Sequence, residues 1–170
     1  SDISVMESEL IMADLVVAEG VFDRARRSVR SGDKDAKERL AVIEQVHAML
    51  EEERPIREGS WDDRQEGILK SYGMVTAKPM LYVANVGEDD LEGAEAGPVR
   101  EHAAAQGSPS LHLCATLESE VSELDSADRT EMLASMGIEE SALGAFARGC
   151  NELLGLTTFY TAGPKEVRAW

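Results

Sequence analysis

"KPMLYVANVGEDD", Lys78 to Asp90, sets an apolar run against an abrupt polar end. Met80, Leu81, Tyr82, Val83 and Ala84 read as a buried β-strand, because a short β-branched and aromatic run after a proline fits a pleated interior. Asn85 stops the run, and the carboxylate of Glu88 follows three residues later. Downstream, Pro98–Gln106 has the composition of a short helix and Ser110–Cys114 that of a second strand. A strand, a crossover helix and a strand make a βαβ unit, which is expected to be parallel and right-handed.

Ligands of open α/β sheets bind beyond the carboxyl ends of the parallel strands. Asn85 and Glu88 fall there, and so does "CATLESE", Cys114 to Glu120. A carboxamide can donate or accept at a purine edge, and a carboxylate can accept from ring or exocyclic N–H groups. The small residues Ala115 and Thr116 leave room for a backbone N–H to approach a base. An Asn followed three residues on by Glu is by itself a weak motif, since most such endings are polar turns. Its coupling to a second strand end of small residues makes base recognition the sharper reading.

Upstream, Ile3, Met6, Leu10, Ala13 and Val17 fall at alternating three- and four-residue steps, the seam of a coiled coil. Gly32 can supply a left-handed turn, and Asp33 can cap a second helix. Ala36, Leu40, Ile43, His47 and Leu50 repeat the spacing, so an antiparallel helical hairpin is expected, with His47 a packed core residue rather than a ligand. The tip of this hairpin is basic: Arg24, Arg26, Arg27, Arg30, Lys34, Lys37 and Arg39 stand against the trend of the chain. A solvated face is the plain reading, and a contact for RNA, ribosome or an acidic partner is the sharper one. A connector with one helix, Asp62–Lys70, precedes the strand. Helices at Ser126–Met136 and Ser141–Leu154 follow the second strand, and "LTTFYTAGPKEVRAW" reads as the opening strand of a further domain.

The 170 residues carry a net charge of −16, which excludes wrapping nucleic acid along the whole surface. Two cysteines without a CxxC pairing suggest a reducing, cytoplasmic setting, and no run reaches the roughly 18 apolar residues of a membrane span. The absence of an initiator Met, and two strands with bare edges, point to a piece of a longer chain. Those edges also make self-association of the piece an expectation. His102 and His112 have no ligand cluster around them, so no metal site is expected.

"ADLVVAEGVFDRARRSVRSGDKDAK", "AKPMLYVANVGEDD", "ESEVSELD" and "TFYTAGPKEVRAW" together resemble the Obg-like ATPases, the YchF-type subgroup of the P-loop GTPase class. The resemblance runs essentially from Asp2 to Trp170, and GPKEVRAW is its most specific piece. It implies an α/β fold in which residues 1–56 form a helical hairpin inserted in a nucleotide-binding domain. Residues 57–156 would be the C-terminal part of that domain, and 157–170 the start of a TGS domain. It also implies that Asn85, Val86, Gly87 and Glu88 replace the usual Asn-Lys-x-Asp motif, with the glutamate going with a preference for ATP over GTP. Val86 would then contact base or ribose. The family's base-contacting Ser-Ala-Lys falls on Cys114, Ala115 and Thr116, departing at the first and third positions. Backbone contact through Ala115 survives that departure, whereas packing of a lysine stem over the base does not.

No G-x-x-x-x-G-K-S/T occurs in the chain, so a phosphate-cradling loop and the Mg²⁺ ligands for ATP are expected outside it. Catalysis in this class is positioning and charge stabilisation around the phosphates, and no catalytic residue is assigned here. Two function classes are open: the base-recognising part of a translation-associated ATP-hydrolysing protein, or a non-enzymatic module that binds RNA or protein through the basic tip. The chain by itself is expected to release no phosphate from ATP, and a phosphate-release assay above the buffer blank would refute this.

Overall fold

The computed structural model describes residues 2–30, 35–164 and 166–169. They form two compact units, which divide between Pro79 and Met80.

The first unit is helical. α1 spans Asp2–Arg30 and α2 spans Ala36–Glu51, and the two pack along their lengths. A 3-10 turn at Ile56–Glu58 leads to α3, Asp63–Tyr72. Asp62 starts α3 as the sequence suggests: its side chain accepts from the Arg64 and Gln65 N–H groups, while the Gln65 side chain reaches back to the Asp62 N–H. The turn proposed at Gly32 and the cap at Asp33 lie outside the described residues. The N-cap position of α2 is held by Asp35, whose side chain makes no cap hydrogen bond.

The seam read for α1 is corrected by one residue. Its buried positions are Ile11, Asp14, Ala18, Val21 and Ala25, still at three- and four-residue steps, while Met6 and Val17 are exposed and so is Ala13. A one-residue shift turns the buried face by about 100°. The cause is Asp14. Its carboxylate accepts the N–H groups of Val75 at 2.9 Å and Thr76 at 2.6 Å, and the residue is 2% exposed. A lone carboxylate is excluded from a core by its desolvation cost, but one that satisfies two backbone donors is not. Thr76 passes the connection on: its hydroxyl accepts from Ile56 N–H at 3.3 Å and its carbonyl from Arg57 N–H at 3.0 Å. On α2 the reading holds for Ala36, Ile43 and Leu50, which are buried. His47 is half-buried, stacks on Phe22 with centroids 5.8 Å apart and lies 3.2 Å from Glu51.

The second unit is α/β with a small parallel sheet. β1 is Tyr82–Asn85 and β2 is Ser110–Leu113, paired parallel with Tyr82 opposite Ser110 and Asn85 opposite Leu113. The crossover helix α4, Gly97–Ala105, contacts both strands. Tyr82 and Ala84 are buried, and Tyr82 meets His102 of α4 edge-on at 5.4 Å. Val83 is 40% exposed, so the second face of β1 is less fully covered than the face of Tyr82 and Ala84. Three helices follow: α5 (Ala115–Glu123), α6 (Ser126–Ser135) and α7 (Ala142–Leu153). α5 is an addition to the sequence reading, which treated "CATLESE" as a strand end and loop. Its apolar face has only Leu117 and Val121 buried, one turn apart, too little periodicity to announce a helix. The C-terminal segment forms an antiparallel hairpin, β3 (Tyr160–Ala162) with β4 (Val167–Ala169), rather than a lone strand. No helix of the described residues is long and apolar enough to cross a membrane.

Replacing Asp14 by alanine strands two backbone donors, so the helical unit is expected to lose about 2–4 kcal/mol in urea unfolding. Asp14→Asn, which keeps one acceptor, should lose clearly less. An Asp14→Ala midpoint equal to wild type would remove Asp14 from this role.

Candidate functional site

The carboxyl ends of β1 and β2 converge on one cluster of residues. Asn85 is the last residue of β1, and its Oδ1 accepts the Ala115 N–H at 3.0 Å. An amide on one strand end thus closes onto the first residue of the helix after the next strand. Because Oδ1 is engaged, the NH₂ group of Asn85 points its donors elsewhere, and among the described residues it makes no hydrogen bond. Val86, 8% exposed, extends the pairing by one bond, its N–H donating to Leu113 carbonyl at 2.9 Å. Cys114 is buried, a free thiol at the N-cap position of α5. It shares a core with Ala84, Val86, Ala96, Leu117 and Val121. Ala115 and Thr116 open α5 and are exposed.

Glu88 begins a 3-10 turn, Glu88–Asp90, and is exposed. No hydrogen bond joins it to Asn85, Ala115 or Thr116 among the described residues. Its place is therefore set by the backbone around it. Asp90 fixes that backbone, accepting the N–H groups of Ala94 and Glu95 at 2.8 Å each. The cluster thus brings together Asn85 and Ala115 directly, and Val86 with Cys114 through shared packing. Glu88 and Thr116 are both exposed and make no direct hydrogen bond to these residues among the described residues.

Glu118 is a residue that sequence reasoning missed. It is 8% exposed on the first turn of α5, where its Oε2 accepts the Ser141 hydroxyl at 2.5 Å and its Oε1 the Ala142 N–H at 2.7 Å. It thereby supplies an acceptor to the start of α7 and ties that helix to α5. Nothing in "ATLESEVSE" separates this glutamate from its solvated neighbours Glu120 and Glu123. Only the arrival of Ser141 from another part of the unit does so.

The basic residues belong to the other unit. Arg24, Arg26, Arg27 and Arg30 are exposed along the last turns of α1, and Lys37 is exposed at the start of α2. Lys34 lies outside the described residues. Arg26, Arg27 and Arg30 line, with Asp23, a recess of about 240 Å³. The Arg26 guanidinium sits 5.2 Å from the centre of the Phe22 ring. A larger recess of about 700 Å³ in the same unit is walled by Ile56, Trp61, Leu69 and Met74 and holds none of the residues singled out from sequence. Among the described residues no three His, Cys, Asp or Glu side chains gather as a metal site.

A pair of parallel strand ends locked together by the Asn85 amide defines a small α/β unit, and a separate helical unit completes the chain. No protein-family model matches the chain. Its sequence is nonetheless 42% identical over 170 residues to the ribosome-binding ATPase YchF of Haemophilus influenzae, covering 99% of this chain and 47% of that protein. The ribosome-binding ATPase YchF of Bacillus subtilis is 36% identical over 173 residues, with the same two coverages, 99% and 47%. The solved structure of the Schizosaccharomyces pombe YchF GTPase superposes with a TM-score of 0.84 at 26% identity, over 99% of this chain and 47% of that one. The chain is thus a homologue of the YchF-type Obg-like ATPases along nearly its whole length, as its motifs suggested. It spans about half the length of the relatives it matches.

Proposed function

We propose that the chain supplies purine recognition and a helical contact arm to an ATP-hydrolysing, ribosome-associated protein of the YchF type. The hydrogen bond from Ala115 N–H to Asn85 Oδ1 carries this reading. It fixes the orientation of a carboxamide at the open ends of two parallel strands, where a purine edge would meet its NH₂ group. Glu88 would accept from the exocyclic amine of adenine, whereas the 6-oxo group of guanine would face its carboxylate unfavourably. Val86 and Cys114 would floor the base, and Ala115 and Thr116 would approach it through their backbone. The relatives carry the names ATPase and GTPase in turn, so base preference is the property to measure.

ATP and its Mg²⁺ would take their phosphate ligands from residues outside this chain, which holds no phosphate-binding motif. The nucleotide would supply the scissile phosphoanhydride. The residues here would orient the base and set which purine is accepted. In this scheme 1–56 is an inserted helical hairpin, 57–156 the C-terminal part of the nucleotide domain and 157–170 the start of a TGS domain. Residues 57–79 pack with the helices rather than with the sheet, which makes the connector part of the arm's base. A cytoplasmic location follows from the ribosome as partner.

Calorimetric titration of Mg-ATP and Mg-GTP into the full-length protein tests the base site. Wild type is expected to bind ATP more tightly. Asn85→Ala should weaken both nucleotides at least about tenfold, the scale of a lost charge-free hydrogen bond plus a disordered loop. Glu88→Ala should mainly reduce the difference between them. Unchanged binding in both variants would refute the purine site.

A second contact surface is favoured by the convergence of Arg26, Arg27 and Arg30 on one recess at the end of α1. Ribosome or RNA binding through it should weaken as salt rises, and the triple change to alanine should flatten that salt dependence by about three charges. Sedimentation with ribosomes at two salt concentrations checks this. An identical salt response in the variant would remove the arginines from the interface.

A further inference from the structure

Glu88 owes its position wholly to its loop, so the groups that hold the loop determine where the carboxylate stands. The loop is anchored on β2 at both ends, and by consecutive residues. Ahead of Glu88, the Val86 N–H donates to the Leu113 carbonyl at 2.9 Å. Behind it, His112 Nε2 lies 3.2 Å from the Leu91 carbonyl. A carbonyl only accepts, so the imidazole carries its proton at Nε2 in this bond.

The same ring seats the next turn. Gly93 is buried with a φ of +71°, and a Cβ there would come within 2.6–2.7 Å of three His112 ring atoms. The imidazole therefore lies directly against the Gly93 backbone, in space that any side chain at 93 would need. Arg100 of α4 adds a second hold, its Nη2 donating to the Gly93 carbonyl at 3.0 Å. Inside these anchors the turn closes on itself through Asp90 N–H to Gly87 carbonyl at 3.1 Å and Gly93 N–H to Asp90 carbonyl at 2.8 Å. His112 is opposite Ala84 in the strand pair, one residue before Asn85. One short stretch of β2 and α5 thus holds both halves of the site: Ala115 fixes Asn85, and His112 fixes the turn that bears Glu88.

We propose that His112, assisted by Arg100, is a positioning residue for base discrimination, setting the placement of Glu88 relative to Asn85. The proposal rests on the purine-site reading and deepens it. His112 touches no base. It acts through Leu91 and Gly93 on the turn that bears Glu88, whose carboxylate makes no hydrogen bond of its own among the described residues. A residue of merely structural importance would alter stability, or weaken all nucleotides alike, whereas His112 should alter the ratio of ATP to GTP affinity.

The full-length protein is titrated with Mg-ATP and Mg-GTP as wild type, Asn85→Ala, His112→Phe and His112→Gln, each first checked for a cooperative thermal transition. His112→Phe keeps a flat ring over Gly93 and removes the donor. His112→Gln keeps a side-chain N–H that can reach the Leu91 carbonyl. The expected result is an ATP-to-GTP affinity ratio that falls about fivefold or more in His112→Phe, as for loss of one hydrogen bond, and stays near wild type in His112→Gln. If His112→Phe does not fold, Arg100→Ala, at an exposed position, is read in the same way. A ratio within about twofold of wild type in the folded variant, while Asn85→Ala weakens both nucleotides about tenfold or more, would overturn the proposal and leave the purine site standing. Wild-type binding without any preference would overturn it too. Full binding by Asn85→Ala would bring down the purine site and this proposal together.

Discussion

The helical unit depends on one buried carboxylate. Asp14 stands in the middle of an otherwise apolar helix face and takes the two backbone N–H groups of Val75 and Thr76, more than sixty residues away in sequence. Without it the Thr76 N–H would be buried and unpaired and the half-covered Val75 N–H would lose its partner, a cost comparable to a sizeable fraction of a domain's net stability. With it, the segment before β1 is bound to α1. Thr76 then holds the backbone of Ile56 and Arg57, and Trp61 donates its indole N–H to the Ile56 carbonyl at 2.9 Å. A chain of hydrogen bonds therefore runs through a core of Val42, Ile43, Val46 and Leu50, and gives non-directional packing a single register.

The α/β unit solves a related problem with side-chain amides and acids placed at its strand and helix ends. Asn85 satisfies the first N–H of α5, Asp90 satisfies two N–H groups ahead of α4, Asp125 caps α6 and Glu118 caps α7. Each of these groups lowers the cost of ending a regular element. In a chain with so few aromatics, such polar closures carry much of the specificity that larger cores obtain from shape. The same closures hold the carboxyl ends of the parallel strands in one arrangement. A purine site needs donors and acceptors whose directions are settled before the base arrives, because ordering them on binding would subtract from affinity.

Much of this was legible in the residues. The strands, the crossover helix and the parallel pairing follow from short β-branched runs separated by a helix-forming segment, and boundaries fell within two residues of Tyr82–Asn85 and Ser110–Leu113. Asn85 was legible as the end of β1, because an amide interrupts the apolar run there. The face of α1 was not, since periodicity alone cannot say that an aspartate is to be buried. Ala13 and Asp14 are equally placed on a 3.6-residue repeat, and the apolar one was the natural choice. Nor was α5 legible, with two apolar residues buried on its face and a run of acids around them.

The sequence by itself determined most of the helices and the two parallel strands, where the polar ends of those strands fall, and, through its motifs, the kinship with YchF proteins. Those properties depend on local chemistry and spacing, which a chain displays without folding. The tertiary structure alone decided that Asp14 is buried, that Glu118 meets Ser141 and that His112 lies on Gly93. In each case the partner is distant along the chain, and only folding brings a backbone donor, hydroxyl or glycine to the group that needs it.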